Sequence, residues 1–239
     1  MLSIIVPAYN EARKLPETIK EAVDTLESRH LEYEVIIVDD GSEDDTLEKA
    51  LAVAEKYPTV RAFGYKENRG KGYAIKYGFQ FVRGDPVLFL DADLELPPSQ
   101  ILRFLEYMSA DNTDILIGSK RHPLSKVDVT FSRRFLSKGY NLLVKLLFNL
   151  DVTDVLVGLK LFRRKVLEQV LPELSVQRYA FDVELLANAH RKGYSIAEAP
   201  VELSYRFNSR IVIRGTWRIF LDTMNIFYRM KVLHSYDKR

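Results

Sequence analysis

The chain of 239 residues contains no cysteine, which removes disulfide staples, zinc-thiolate centres and cysteine nucleophiles together. Histidine is scarce as well: His30, His122, His190 and His234 fall outside the main motifs, so no catalytic imidazole is expected. There is no uncharged apolar run of membrane-spanning length. Nor does a basic stretch followed by a signal-like apolar segment precede the strand pattern at Leu2 to Val6. The expectation is a chain that neither spans a membrane nor is exported and resides in the cytoplasm. No linker, internal repeat or low-complexity tract divides it, so one α/β domain with a full core is expected. Without a helix-turn-helix, zinc-finger or RNA-binding signature, nucleic acid is not an expected partner.

The net charge of +2 implicates nothing by itself, but its distribution does. Up to Ile115 there are 13 Lys and Arg against 22 Asp and Glu, and from Leu116 onward 22 against 11, giving halves of −9 and +11. An acidic half joined to a basic half suits a phosphate-rich partner between them, either a nucleotide or an anionic membrane surface.

Short β-rich runs alternate with helical patterns. Ser3 to Val6, Tyr33 to Val38, Val60 to Tyr65, Val87 to Leu90 and Ile115 to Gly118 read as strands. Between them Leu15 to Leu26, Asp45 to Tyr57, Tyr73 to Val82 and Ser99 to Met108 read as helices. This order predicts a Rossmann-like, mostly parallel sheet with flanking helices and ligands at the carboxyl ends of its strands. After Ser119 the regularity gives way to a basic helix near Phe131 to Leu147. Shorter strands follow near Gly158 to Phe162 and Ser195 to Val201, flanking a helix near Phe181 to Lys192.

The densest chemistry lies where Pro86 to Leu90 runs into Asp91-Ala92-Asp93-Leu94-Glu95. Strand side chains alternate faces, so Asp91, Asp93 and Glu95 converge if the backbone stays extended. Carboxylates held that close repel one another unless one is protonated or a hard cation sits between them, which points to Mg²⁺ or Mn²⁺. The other reading is a solvated strand-to-helix loop, with Pro97-Pro98-Ser99 as a helix start. Two further strand ends fall on the same edge, at Val6-Pro7-Ala8-Tyr9-Asn10-Glu11 and Val38-Asp39-Asp40-Gly41-Ser42. There Asp40 and Ser42 suit turns, and Asp44 and Asp45 suit a helix start. The run Asn68-Arg69-Gly70-Lys71-Gly72 lacks phosphate-loop spacing, so it reads as a tight turn, with Lys71 a candidate for holding a donor.

VPAYNE at 6–11, VDDGSEDDT at 38–46, NRGKGYA at 68–74 and DADLE at 91–95 together resemble family 2 glycosyltransferases with the GT-A fold. GSK at 118–120, RRFLSKGYN at 133–141, DVLVGLKLFRR at 154–164 and FDVELL at 181–186 resemble the branch that transfers sugar to dolichyl or other polyprenyl phosphate. Within it FDVELL and the KLF at 160–162 look more like the glucose than the mannose enzymes. The resemblance implies a GT-A catalytic domain over 1–205, with a nucleotide-sugar half (1–118) and an acceptor half (119–205), followed by a basic amphipathic segment (206–239). It implies that Pro7, Tyr9, Glu11 and Asp39 surround the nucleotide with Lys71 and Asp91, while Asp91, Asp93 and Glu95 hold the metal and diphosphate. It also implies that Lys120 or its neighbour Arg121, with Arg133, Ser137, Arg206 and Arg210, contacts donor or acceptor phosphates. Arg133 joins Asp91 and Asp93 as a catalytic candidate. Val157 and Leu159 depart from the family pattern and leave the sugar open, with UDP-glucose first and GDP-mannose second.

A lipid-phosphate acceptor would suit the basic, apolar second half. Phe131 to Leu147 and Ile211 to Leu233 each interleave Lys and Arg with large apolar residues. Such helices either pack on the sheet with their charges outward or lie at the cytoplasmic face of a membrane. Transfer to a soluble glycan or protein, or a nucleotide-sugar-binding subunit without turnover, are the competing readings.

Overall fold

The computed structural model describes residues 1–127, 131–178, 180–203 and 216–236, apart from the side chains of 131–137, 216 and 217. Strands β1 (Leu2–Ala8), β2 (Tyr33–Asp39), β3 (Val60–Gly64), β4 (Val87–Phe89), β5 (Ile115–Ser119), β6 (Lys160–Phe162) and β7 (Ile196–Pro200) form one sheet. Their order is β3-β2-β1-β4-β6-β5-β7. All pairings are parallel except those of β6, which runs antiparallel between β4 and β5. The helices are α1 (Leu15–Glu27), α2 (Thr46–Lys56), α3 (Lys71–Phe79), α4 (Ile101–Asp111), α5 (Phe131–Phe148), α6 (Arg164–Val170), α7 (Phe181–Arg191) and α8 (Thr216–Phe227).

The strands are apolar on both faces because helices cover both. Ile4 and Val6 of β1 and Val35 and Ile37 of β2 pack with α1, α2 and α4. The intervening Ile5, Ile36 and Val38 face the opposite layer, with α3, α5, α6, α7 and α8. Two cores therefore sandwich the sheet, and the carboxyl ends of β1, β2 and β4 open on one edge between them. Ala8 lies in register with Asp39 there, and Leu90 N–H continues the β4 pairing to Ile5 O at 3.1 Å.

The expected strands and most helices stand within a few residues of their sequence-based positions. Helix α3 starts two residues early, at Lys71, because Gly70 turns the chain with φ of 98° and the helix begins directly after it. Helix α6 follows β6 immediately and had no separate sequence signal.

At the opposite edge of the sheet, the buried Glu34 ties three segments together. It accepts hydrogen bonds from Ser3 Oγ, Arg83 N–H and Arg61 Nη2, each at 2.6 Å. Burial opposes its ionisation, but these donors and the Arg61 charge prevail and hold its pKa below the ordinary carboxylate value. A depressed folded pKa contributes stability above the unfolded pKa and loses it as pH falls through the folded one. Glu34→Gln should therefore cost about 2 kcal/mol in urea unfolding at pH 7. The deficit should shrink as the pH is lowered through the acid range. A deficit that stays constant with pH would contradict the ionised network.

Candidate active site

The edge where β1, β2 and β4 end carries an open cleft of about 170 Å³ lined by Pro7, Ala8, Tyr9, Glu11, Asp40, Lys71, Asp91, Ala92 and Asp93. Four sequence segments far apart in the chain meet there, as the βαβ order requires. Asp40 organises the third segment rather than facing a ligand alone. Its carboxylate accepts from Tyr65 Oη (2.7 Å), Asn68 Nδ2 (3.0 Å), Arg69 N–H (2.8 Å) and Gly70 N–H (2.8 Å). These bonds fix the loop that delivers Lys71 to the cleft, so the run expected as a tight turn is a short loop over 68–70 followed at once by α3. Asp44 likewise serves a helix start, accepting Thr46 N–H at 3.0 Å.

Beyond β4 the chain does not stay extended. Ala92 and Asp93 form a turn, and Leu94 adopts a left-handed conformation with φ of 57°. Thr18 Oγ1 of α1 anchors this turn by donating to Ala92 O at 2.8 Å, and Asp93 Oδ1 accepts Glu95 N–H at 3.0 Å. The expected convergence of three carboxylates is thereby corrected. Glu95 is turned to Lys120, which follows β5, with Oε1 2.8 Å from the ammonium. Among the described residues, no group of three Asp, Glu or His side chains is gathered for a metal.

Asp91 and Asp93 remain together at the lip. Lys71 Nζ lies 2.6 Å from Asp91 Oδ1. Burial works against the charge of both partners, but their mutual attraction prevails, so the pKa of Lys71 is raised and that of Asp91 lowered. Among the described residues no cation forms an ion pair with Asp93, and Lys14 acts on it only at longer range. Burial first and the Asp91 charge second push its pKa up. Glu11, across the cleft, is also raised, by burial with a contribution from Asp93 and against the pull of Lys14. The lip thus holds one neutralised carboxylate and one under-compensated carboxylate. Mg²⁺ is characteristically bound through one or two carboxylates with substrate phosphates supplying further oxygens, so this donor set fits such an ion only with a co-ligand.

A family model described as glycosyl transferase family 2 matches residues 3–171. The chain belongs to this family. It is 35% identical to a dolichyl-phosphate beta-glucosyltransferase of Trichomonas vaginalis, in an alignment spanning 100% of this chain and 77% of that protein. Identity to a dolichyl-phosphate beta-glucosyltransferase of Mus musculus is 36%, over 90% of this chain and 71% of the relative. Among solved structures, a glucosyl-3-phosphoglycerate synthase of Mycobacterium tuberculosis superposes with a TM-score of 0.72 at 16% identity, covering 95% of this chain and 79% of that one. That structure contains Mn²⁺, UDP-glucose and phosphoglyceric acid, and the likeness shows the GT-A fold. The chain is a glycosyltransferase, and its cleft lies at the carboxyl edge of the sheet.

Within this glycosyltransferase, Pro7, Tyr9, Glu11, Lys71, Asp91 and Asp93 meet in one cleft, as their motifs suggested. Asp39 is buried beside it. Its Oδ2 accepts Ser42 N–H at 3.2 Å, while Oδ1 has no hydrogen-bond partner among the described residues. Lys120 and Arg121 follow β5, with Arg121 N–H donating to Ser119 Oγ at 3.2 Å. Arg133 and Ser137 lie on α5, their side chains outside the described set, and Arg206 and Arg210 lie outside the described residues altogether.

Sequence reasoning missed Lys160, Asp182 and Asp154. Lys160 sits at the middle of the sheet with no exposure, paired to Asp182 at 2.7 Å. Asp154 is buried under Lys120, whose N–H points to its Oδ2 at 3.4 Å, and burial raises its pKa. A lysine flanked by Leu159 and Leu161 in a short apolar strand was the available signal, because a buried ammonium demands a partner. Gly158 has a plainer reason: a Cβ there would collide with the Asp91 carboxylate.

Asp93 yields a stability prediction of opposite sign to Glu34. Its folded pKa is raised, so ionisation favours the unfolded state and stability declines as pH rises from the ordinary carboxylate value through the folded one. Asp93→Asn should raise the metal-free unfolding midpoint at pH 7 by about 2 °C. The gain should disappear in acid below the ordinary carboxylate pKa. A lowered midpoint at pH 7 would show that the Asp93 charge is compensated.

Proposed function

We propose that this glycosyltransferase moves glucose from UDP-glucose to dolichyl or another polyprenyl phosphate with inversion at the anomeric carbon, GDP-mannose being the second candidate donor. The observation that carries the reading is the Asp91–Asp93 lip with Lys71 at the donor edge of the sheet. The full-length likeness to proteins named dolichyl-phosphate beta-glucosyltransferases supports the acceptor and sugar.

Asp91 and Asp93 would hold Mg²⁺ or Mn²⁺, which when bound would stabilise charge growing on the departing diphosphate. Glu95 is committed to Lys120 and becomes a ligand only by leaving it. Pro7, Tyr9 and Glu11 wall the nucleotide side, and Asp39, buried beside the cleft with Oδ1 unpartnered among the described residues, is assigned to accept an N–H from the base. Lys71 faces the same diphosphate position across the lip and supplies a fixed positive charge. The acceptor phosphate has a second pKa of about 6 by analogy with phosphorylated side chains, so it arrives mostly ionised and needs no strong base. The protein's task is to bring two anions together, and cations that flank the acceptor offset their repulsion. Lys120, Arg121, Arg133, Ser137, Arg206 and Arg210 are assigned that part. Residues 1–118 then serve the donor, 119–205 the acceptor and 206–239 the membrane.

Helices α5 and α8 suit a lipid-borne acceptor. Each buries one face, through Val144 and Phe148 or through Ile226, and exposes another. Tyr140 Oη and Thr223 Oγ1 meet at 2.8 Å and the rings of Phe148 and Phe227 at 6.2 Å, which joins the two helices. Leu142, Leu146, Leu221 and Met224 are left outward, among Lys138, Lys145 and Arg218. No helix among the described residues is long and apolar enough to cross a membrane. The proposed seat is peripheral, on the cytoplasmic face, and this surface supports the membrane contact, with apolar side chains for the lipid boundary and cations for anionic headgroups.

The test is transfer of label from a panel of nucleotide sugars, with Mg²⁺ or Mn²⁺ and dolichyl phosphate, into organic-extractable product. UDP-glucose should give the most lipid-linked label, and Asp93→Ala should remove metal-dependent turnover. Arg133→Ala should chiefly raise the acceptor KM. Label confined to water-soluble product, or full activity in Asp93→Ala, would contradict the acceptor or the metal assignment respectively.

A further inference from the structure

Behind Asp91 lies a charged pair that the transfer chemistry leaves unused. Lys160 of β6 has no exposure, and its ammonium donates to Asp182 Oδ1 at 2.7 Å and to the Val157 carbonyl. The sheet register sets Lys160 beside Phe89 of β4 and Ile117 of β5. Asp91 comes two residues after Phe89, so Lys160 stands one step behind it in the same layer. Asp182 belongs to the first turn of α7, and the preceding Phe181 ring packs where a Cβ on Gly72 would otherwise sit, one residue after Lys71. The Gly158 backbone, two residues before Lys160, abuts the Asp91 carboxylate.

Four charges of alternating sign therefore cluster where β4, β6, α3 and α7 meet. Lys71 is acted on by both Asp91 and Asp182, and Lys160 by both Asp182 and Asp91. Burial, helped by the Lys71 charge, holds the Lys160 pKa below its ordinary value against the pull of the two carboxylates. A buried ion pair gives little net stability over apolar residues of the same volume, so stability is a poor reason for its presence. Its placement against functional side chains is a better one.

We propose that Lys160 and Asp182 are positioning residues for the donor site. Their pair pins the Val157–Gly158 backbone against Asp91, which limits how that carboxylate can turn. Asp182 also gives the Lys71 ammonium a second anionic neighbour, so Lys71 can shift from Asp91 towards an incoming diphosphate without becoming an unpaired cation. This rests on the metal and diphosphate reading of the lip. It goes further in assigning the lip's geometry to two residues that touch neither.

The test compares Mn²⁺ binding in the presence of saturating UDP, followed by the electron paramagnetic resonance signal of free Mn²⁺, in the wild type and two variants. Lys160→Met with Asp182→Leu replaces the pair by apolar side chains and should keep the unfolding midpoint close to wild type. Asp182→Asn keeps the volume and an acceptor for Lys160, and it decides the matter if the double variant does not fold. Each folded variant should bind Mn²⁺ ten- to a hundredfold more weakly than the wild type, the usual effect of removing an outer partner of a metal ligand. Folded variants that bind as the wild type does would overturn the positioning role while leaving the donor site intact. A wild type that binds no Mn²⁺ with UDP or GDP would instead overturn the metal reading itself.

Discussion

The Lys71–Asp91 ion pair is the interaction on which the cleft edge of the sheet depends. Two carboxylates placed at one strand end repel, and a folded protein tolerates them when a cation compensates one or a proton neutralises it. Here Lys71 supplies that cation for Asp91 at 2.6 Å, and no equivalent ion pair serves Asp93 among the described residues. The rest of the edge follows from delivering these groups. Asp40 fixes the turn before Lys71, Thr18 holds the turn between Asp91 and Asp93, and Lys120 draws Glu95 aside. The result is a lip with residual negative charge on one side and a fixed ammonium on the other. Such an arrangement suits a cation and a diphosphate arriving together better than either alone.

Much of this was legible in the sequence because the signals are local. Alternating apolar runs mark β1 to β5, and Asp91, Asp93 and Glu11 sit at strand ends that the βαβ order brings to one edge. The convergence of Glu95 was misjudged because alternation along a strand holds only while the chain stays extended. Leu94 at φ of 57° breaks it, and no glycine or asparagine announced the left-handed residue. Lys160 and Asp182 escaped notice for another reason. They are 22 residues apart, on a three-residue strand and at a helix start, and only the sheet order reveals that they meet behind Asp91.

The second half of the chain divides its work between core and surface. Sequence periodicity left two alternatives for the basic helices, packing on the sheet or contact with a membrane, and α5 and α8 have faces suited to both. Val144, Phe148 and Ile226 join the core while Leu142, Leu146 and Leu221 stay outside it. Under the proposed reaction the charge imbalance between the halves would have a physical sense: an acidic edge for a metal-bound donor, and a basic, apolar flank for an anionic lipid.

The most direct measurement is a calorimetric titration of Mn²⁺ into the wild-type protein, with and without UDP. With two carboxylates at the lip and one already neutralised by Lys71, Mn²⁺ alone should bind weakly. UDP should tighten it by an order of magnitude or more, because diphosphate oxygens complete the coordination. Equal and tight binding in both titrations would mean that the protein builds a complete metal site unaided, contradicting the shared site described for Asp91, Asp93 and the diphosphate.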